Sequence, residues 1–126
     1  MSQLKYTKSH EWVQELGGGK VRVGITDYAQ HALGELVFVN LPQVGDEVSA
    51  GTPLGDVESV KAVSDVFCPV SGTVSAVNEE LLDAPGKINE DAFAAWFIEV
   101  ENVFATEEYL DEATYKAFCD AEDAKQ

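Results

Sequence analysis

From Lys20 to about Val77 the apolar residues come in short alternating runs, rich in valine and broken by glycine and proline. This is the pattern of strands joined by turns. Val21, Val23 and Ile25 alternate with Lys20, Arg22 and Gly24, which predicts a strand, and Gly17-Gly18-Gly19 suits a tight or flexible connection into it. Thr26 is placed to cap a short helix through about Leu33, with Gly34 as its stop. Leu36-Val37-Phe38-Val39 predicts a fully or nearly buried strand closed by Leu41-Pro42, and further strands are expected at 47–49, 53–58, 62–67 and 73–77. Val44-Gly45-Asp46 and Val70-Ser71-Gly72 are the expected turns. Residues 78–95 are turn-rich and polar, after which Trp96, Ile98 and Val100 alternate as a strand. The tail then changes period: Leu110, Thr114, Ala117, Phe118 and Ala121 predict a helix over about 107–121, capped by Asp111 or Thr106 and fraying at its last few residues. The expected class is mainly β with short helices, a compact sandwich or barrel of many short strands on which the C-terminal helix packs.

A chain of 126 residues with 45% hydrophobic content is sized for one domain with a real core, so residues 1–126 are expected to form a single unit. Its net charge of −15, with only eight Lys and Arg, argues against nucleic acid as a partner, because a phosphate backbone is gripped by clustered cations. Cys68 and Cys119 belong to no C-x-x-C pair and are read as free thiols. The start of the chain shows neither an apolar signal segment nor an Arg-rich presequence, and no run approaches the roughly 20 apolar residues that span a bilayer. The sequence therefore predicts a cytoplasmic protein with no membrane partner.

Candidate chemistry concentrates on one lysine. Between Arg22 and Lys87 the only Lys or Arg is Lys61, set among Asp46, Glu47, Asp56, Glu58 and Asp65. Isolation alone fits an exposed lysine on an acidic face, since surface charges usually have no specific role. The flanks change that balance: Pro53 and Pro69 stand eight positions to either side of Lys61, and Val48 and Val74 thirteen. A chain that runs up to a hairpin, reverses at Val60-Lys61 and runs down an equivalent path would show this symmetry. Lysine at such a tip is open to a modifying enzyme while its flanking strands stay rigid.

Glu58-Ser59-Val60-Lys61-Ala62, followed by Ser64-Asp65 and Pro69-Val70-Ser71-Gly72, resembles the lipoylation signature of glycine cleavage H proteins. His10-Glu11-Trp12, Gly24 to Gln30, Leu33 to Val39, Leu41-Pro42, Ile88-Asn89 and Trp96 also resemble that family, in the same order and at nearly the same spacing, so the likeness covers almost the whole chain. It implies a barrel-sandwich hybrid shared with biotinyl and lipoyl domains, with a lipoyl hairpin near 57–65 and a C-terminal helix. Biotinyl domains usually flank the modified lysine with methionine, and lipoyl domains of 2-oxo acid dehydrogenases more often place Asp directly before it. Val60 and Ala62 separate this chain from both.

The resemblance implies a carrier rather than an enzyme. Lipoate joined by an amide to Lys61 would shuttle an aminomethyl group from the pyridoxal-phosphate glycine decarboxylase to a tetrahydrofolate-dependent aminomethyltransferase, with reoxidation by dihydrolipoamide dehydrogenase. Tethering raises effective concentration at each partner without tight binding. A lipoate-attaching enzyme is the fourth partner, with Glu58, Ser59, Val60 and Ala62 as the residues it would read, and the chain is expected to be a monomer. An arm-docking cleft is expected from Glu11 and Asp65 as carboxylates for the adduct's ammonium, with Ile25 and Leu33 as apolar wall. The alternatives are an H-like carrier used mainly in lipoate relay, a biotinyl-type carrier, an unmodified H-like protein and an enzyme using Lys61 as a Schiff-base nucleophile. The last needs a lysine of lowered pKa, which nearby Glu58 and Asp65 would oppose.

Two departures from the family pattern stand out. Asn89 to Trp96 lacks the usual proline and glycine and is one residue shorter, so its backbone is expected to turn differently. Ala32 stands where many members have histidine, with His31 adjacent. His10 and His31 form no metal-ligand motif, Gly17-Gly18-Gly19 is followed by no G-K-[ST], and the pairs Glu79-Glu80 and Glu107-Glu108 are read as solvated charges or helix-start residues.

Overall fold

The hydrophobic pattern resolves into nine strands and four helices in a computed structural model that describes residues 4–124. They are β1 (Leu4–Tyr6), β2 (Glu11–Gly17), β3 (Lys20–Ile25), α1 (Asp27–Leu33), β4 (Leu36–Asn40), β5 (Glu47–Val48), β6 (Pro53–Ser59), β7 (Val63–Phe67), β8 (Val70–Val77), α2 (Glu80–Asp83), α3 (Lys87–Glu90), β9 (Ile98–Thr106) and α4 (Glu112–Ala124). One sheet has six strands in the order β1-β2-β3-β9-β8-β5, and a second has three, β4-β6-β7. All the paired strands are antiparallel.

The two sheets bury one core between them. Val13, Val23, Val74 and Val100 of the larger sheet share it with Leu36, Val39, Val57 and Val66 of the smaller, and Leu81, Ile88 and Phe97 close its side. A fully buried side chain of this size stabilises the fold by about 1.5–3 kcal/mol, so the hairpin strands are held by their inward valines. A second cluster of Tyr6, Trp12, Leu110, Tyr115 and Cys119 attaches α4 to the N-terminal strands. Both cysteines are buried, and neither is joined in a disulfide.

Several expectations need correction. Leu36–Val39 is not buried on both faces: Leu36 and Val39 point inward, whereas Val37 and Phe38 are about half exposed. A register shift between Leu36 and Phe38 produces this, because the extra residue of a bulge turns neighbouring side chains outward. Val70-Ser71-Gly72 is not a turn but the start of β8. Gly72 is needed there for close strand approach, since a Cβ would meet the Glu101 carbonyl oxygen at 2.6 Å. The final strand begins at Ile98, after Trp96, and continues to Thr106. Residues 78–95 contain the two short helices α2 and α3. The C-terminal helix starts at Glu112 rather than 107; Asp111 caps it by accepting from the Thr114 backbone N–H at 2.7 Å, while Thr106 belongs to β9. The final Lys125 and Gln126, where fraying is expected, lie outside the described residues.

Thr26 caps α1 as expected, accepting from the Ala29 N–H at 3.2 Å, and Gly34 ends it at φ 86°. The Gly17-Gly18-Gly19 connection joins β2 to β3 with all three glycines at positive φ, a conformation that costs glycine little.

Candidate functional site

Strands β6 and β7 form the hairpin that the symmetry about Lys61 predicts. Glu58 pairs with Val63 and Val57 with Ser64, so the ladder is centred between Val60 and Lys61. The reversal is built by Ser59. Its N–H donates to the Ala62 carbonyl at 2.7 Å, and its hydroxyl oxygen accepts from the N–H groups of Ala62 at 3.0 Å and Lys61 at 3.3 Å. The Val60 N–H donates to the Glu35 carbonyl at 3.1 Å, which ties the tip to the connection between α1 and β4.

Lys61 itself is exposed, and among the described residues it has no ion-pair partner. Its Cε lies 3.5 Å from the point where a side chain on Gly34 would begin, so the lysine stem runs over that glycine. Asn89 holds the ground beneath: its side-chain oxygen accepts from the Leu36 N–H at 2.9 Å, and its amide donates to the Gly34 carbonyl at 2.9 Å and to Gln30 Oε1 at 2.8 Å. One side chain thus joins α1, the start of β4 and α3. The polarity of Asn89 gives no sign of this role in the sequence, because its partners lie more than fifty residues away.

Of the four residues expected to be read by a modifying enzyme, Val60 and Ala62 are exposed and Glu58 is partly so. Ser59 is buried and faces inward, so its part is to shape the turn, not to offer a surface.

The expected cleft residues separate. Glu11 begins β2, pairs with Ile25 of β3, and is 2% exposed. Its Oε1 accepts from Thr7 Oγ1 at 2.8 Å and from the Ser9 hydroxyl, and its Oε2 accepts from the Phe67 N–H at 3.4 Å. No cation pairs with it among the described residues. Burial pushes its carboxyl up to about 7, against the pull of the Ser9 and Thr7 hydroxyls and the Phe67 N–H, and the nearby Glu107 adds to the rise. Ile25 is a core residue at 3% exposure and cannot serve as an open wall. Leu33 is half-buried against the same core, next to the glycine under Lys61. Asp65 is exposed and pairs with Asp56 of β6.

A surface depression of about 370 Å³, lined by Thr7, Lys8, Ser9, Glu107 and Glu108, reaches the two hydroxyl residues that hold Glu11. Glu107 and Glu108 do not start the helix: the Glu107 N–H donates to the Pro69 carbonyl at 2.7 Å, which draws this acidic pair beside Glu11. Doubling of the acid at 107–108 was the only sequence signal for it. Behind Glu11, Cys68 donates its thiol to the Val70 carbonyl at 3.1 Å, and burial pushes that thiol up to about 11.

His10 keeps the Glu11 loop in place. At φ 71° it occupies a conformation uncommon for a side-chain-bearing residue, and both ring nitrogens are engaged by α4: Nδ1 with the Tyr115 hydroxyl at 2.7 Å and Nε2 with Glu122 at 2.9 Å. It stacks on Tyr28 at 4.7 Å. His31 and Ala32 are exposed on α1 and take no part in this arrangement. The segment after Asn89 is closed by Asp91, whose carbonyl accepts from the Ala95 N–H at 3.1 Å, and the Ala92 carbonyl accepts from the Trp12 indole at 3.0 Å. Asp91 and Trp12 thus hold the turn of a segment that has neither proline nor glycine.

Two small antiparallel sheets around one core, with a lysine presented at the tip of a rigid hairpin, define the class of a barrel-sandwich hybrid carrier domain. A family model described as glycine cleavage H-protein matches residues 4–122. The chain belongs to the glycine cleavage H-protein family. It is 55% identical to the glycine cleavage system H protein of Lachnoclostridium phytofermentans over 118 residues, covering 94% of this chain and 93% of the relative. It is 61% identical to a probable glycine cleavage system H protein of Pyrococcus horikoshii over 98 residues, covering 78% of this chain and 73% of the relative. The crystal structure of a glycine cleavage system H protein from Mycobacterium marinum superposes with a TM-score of 0.87 at 42% identity, covering 93% of this chain and 96% of that one. This kinship supports the role of a lipoyl carrier in the glycine cleavage system.

Proposed function

We propose that Lys61 is the attachment point of the lipoyl group, and that the protein acts as a carrier rather than as a catalyst. The observation that carries this reading is the tip geometry: a backbone fixed by Ser59 and Glu35 beneath a side chain that is exposed and without an ionic partner among the described residues. An amine in that setting is open to an acylating enzyme, and the lysine stem already rests over Gly34, where a Cβ would stand in contact with it. A Schiff-base role would need a desolvated lysine, which an exposed tip does not provide. Attached at Lys61, lipoate would supply a dithiolane that accepts and releases the aminomethyl group and is reoxidised afterward. The partners in this reading are the glycine decarboxylase, the aminomethyltransferase, dihydrolipoamide dehydrogenase and the lipoate-attaching enzyme. Two cysteines outside any disulfide fit a reducing compartment, the cytoplasm.

Glu11 is the counter-charge for the loaded arm in this proposal. Phe67, whose N–H meets Glu11, lies at the far end of β7, four residues and about 13 Å at strand rise beyond Val63, so an arm from Lys61 would reach Glu11 only by lying back along this strand. An ammonium arriving through the depression lined by Lys8, Glu107 and Glu108 would have to pass the Thr7 and Ser9 hydroxyls to meet the buried carboxylate of Glu11. Pairing with a cation favours the ionised form of a carboxyl that burial otherwise holds partly neutral, so the loaded arm and the Glu11 charge stabilise each other.

Intact-mass analysis of protein from lipoate-fed cells tests the central assignment. Wild type is expected to gain one lipoyl group and Lys61→Arg none, with an unchanged fold; a lipoyl mass on the arginine variant would overturn it.

A further inference from the structure

The outward face of the three-stranded sheet is organised in register. Phe38 of β4, Glu58 of β6 and Val63 of β7 form one cross-strand row, and Asn40, Asp56 and Asp65 another. Between them runs the row of Val39, Val57 and Ser64, whose valines point into the core. The alternation therefore turns Phe38 and Val63 outward, where they are 50% and 66% exposed on either side of Glu58. Val60, at the tip beside Lys61, is 67% exposed. Large apolar side chains gathered at one end of a small sheet, bordered by carboxylates, are what a protein partner with an apolar seat and a basic rim would bind.

We propose that this face, with Phe38 and Val63 as its apolar contacts and Glu58, Asp56 and Asp65 as its charged ones, is where the lipoate-attaching enzyme docks to reach Lys61. The proposal rests on the reading of Lys61 as the attachment residue. The occupant follows from where each partner must work. The attaching enzyme forms its bond at the lysine nitrogen and so has to sit within one lysine side chain of the hairpin, whereas the other partners act at the far end of the completed arm. Charge points the same way: Lys61 is the only cation on the hairpin against three carboxylates, so the complementary surface is basic. Both outer strands of this sheet, β4 and β7, are edges, so a partner can approach the face from either side.

The test uses the unmodified protein, lipoate, ATP and a purified lipoate–protein ligase, with lipoyl gain on Lys61 followed by mass. The double variant Phe38→Ser/Val63→Ser is expected to lose at least tenfold in kcat/KM, and the near-isosteric Val63→Thr to lose severalfold. Phe104→Ser, at an exposed phenylalanine of the other sheet, is expected to stay within twofold of wild type. Melting temperatures check folding, and Val63→Thr keeps the test decisive if the double variant does not fold. Lipoylation of the variants within twofold of wild type would overturn the proposal while leaving Lys61 as the attachment site. No lipoyl gain by wild type would instead sink the functional reading beneath it. Variants lipoylated to completion are expected to accept an aminomethyl group from the decarboxylase at the wild-type rate; an equal fall in that step would overturn the assignment to the attaching enzyme.

Discussion

The ring of His10 meets the hydroxyl of Tyr115 at 2.7 Å across 105 residues of chain, and the same hydroxyl lies 2.6 Å from Thr26 Oγ1. Through this oxygen the C-terminal helix joins the loop before Glu11 to the cap of α1. Burial holds the Tyr115 hydroxyl neutral far above neutral pH, so it serves as a hydrogen-bonding group. Tyr115→Phe keeps the ring stacked on Tyr6 but leaves His10 and Thr26 without this partner, and is expected to destabilise the fold by about 1–3 kcal/mol. Chemical denaturation measures it, and an unchanged midpoint would show that the hydroxyl carries no load.

Stability should depend on pH through Glu11. Its carboxyl titrates near 7 in the fold against an ordinary value of 4.5, so between those limits the folded state binds more protons than the unfolded. The Glu11 contribution therefore weakens as pH rises from 4.5 to 7 and is constant above. The gap corresponds to about 3 kcal/mol. Glu11→Gln removes this titration, so its stability relative to wild type should improve by an amount of that order between pH 4.5 and pH 8. Parallel stability curves for the two proteins would contradict the buried-acid account.

The same residue has a functional test. If Glu11 shelters the ammonium of the loaded arm, Glu11→Ala should release ammonia spontaneously several times faster than wild type. Equal release rates would remove Glu11 from the docking role.

Glu58→Lys reverses a charge three residues before Lys61, on the outward face of the hairpin. Lipoylation should slow by severalfold. The melting temperature should barely move, because a partly exposed carboxylate without an ion-pair partner among the described residues contributes little to stability. A wild-type lipoylation rate would take Glu58 out of the recognition surface.

Gly55 lies against the end of β4: a Cβ there would stand 2.0 Å from the Asn40 carbonyl oxygen. That atom is backbone and cannot swing aside. Gly55→Ala should therefore cost about 1–3 kcal/mol or more by forcing the strands apart, whereas Gly86→Ala, which meets nothing within 4 Å, is the comparison expected to change little. Equal thermal shifts in the two variants would contradict the close approach.

Much of the fold was legible in the residues because it depends on local rules. The alternation of Val21, Val23 and Ile25, the Thr26 cap and the Gly34 stop act within a few positions, and the structure bears each out. The hairpin was legible for a related reason, since its two strands are neighbours in sequence and pair about a centre beside Lys61. The order of motifs made the family readable as well. What could not be read was which face of Leu36–Asn40 meets the core, because a bulge decides it and nothing in LVFV marks the bulge. Gly72 read as a turn for a similar reason: a glycine admitting a neighbouring strand looks like a glycine bending the chain until the neighbour, Glu101, is in place. Only tertiary structure put Asn89 beneath the Lys61 stem, gathered Glu107 beside Glu11 and enclosed that carboxyl until its acidity shifted. Sequence determines charge and period, but desolvation is a property of what surrounds a group in space, and the surroundings of Glu11 come from Thr7, Ser9 and Phe67 only once the sheets have closed.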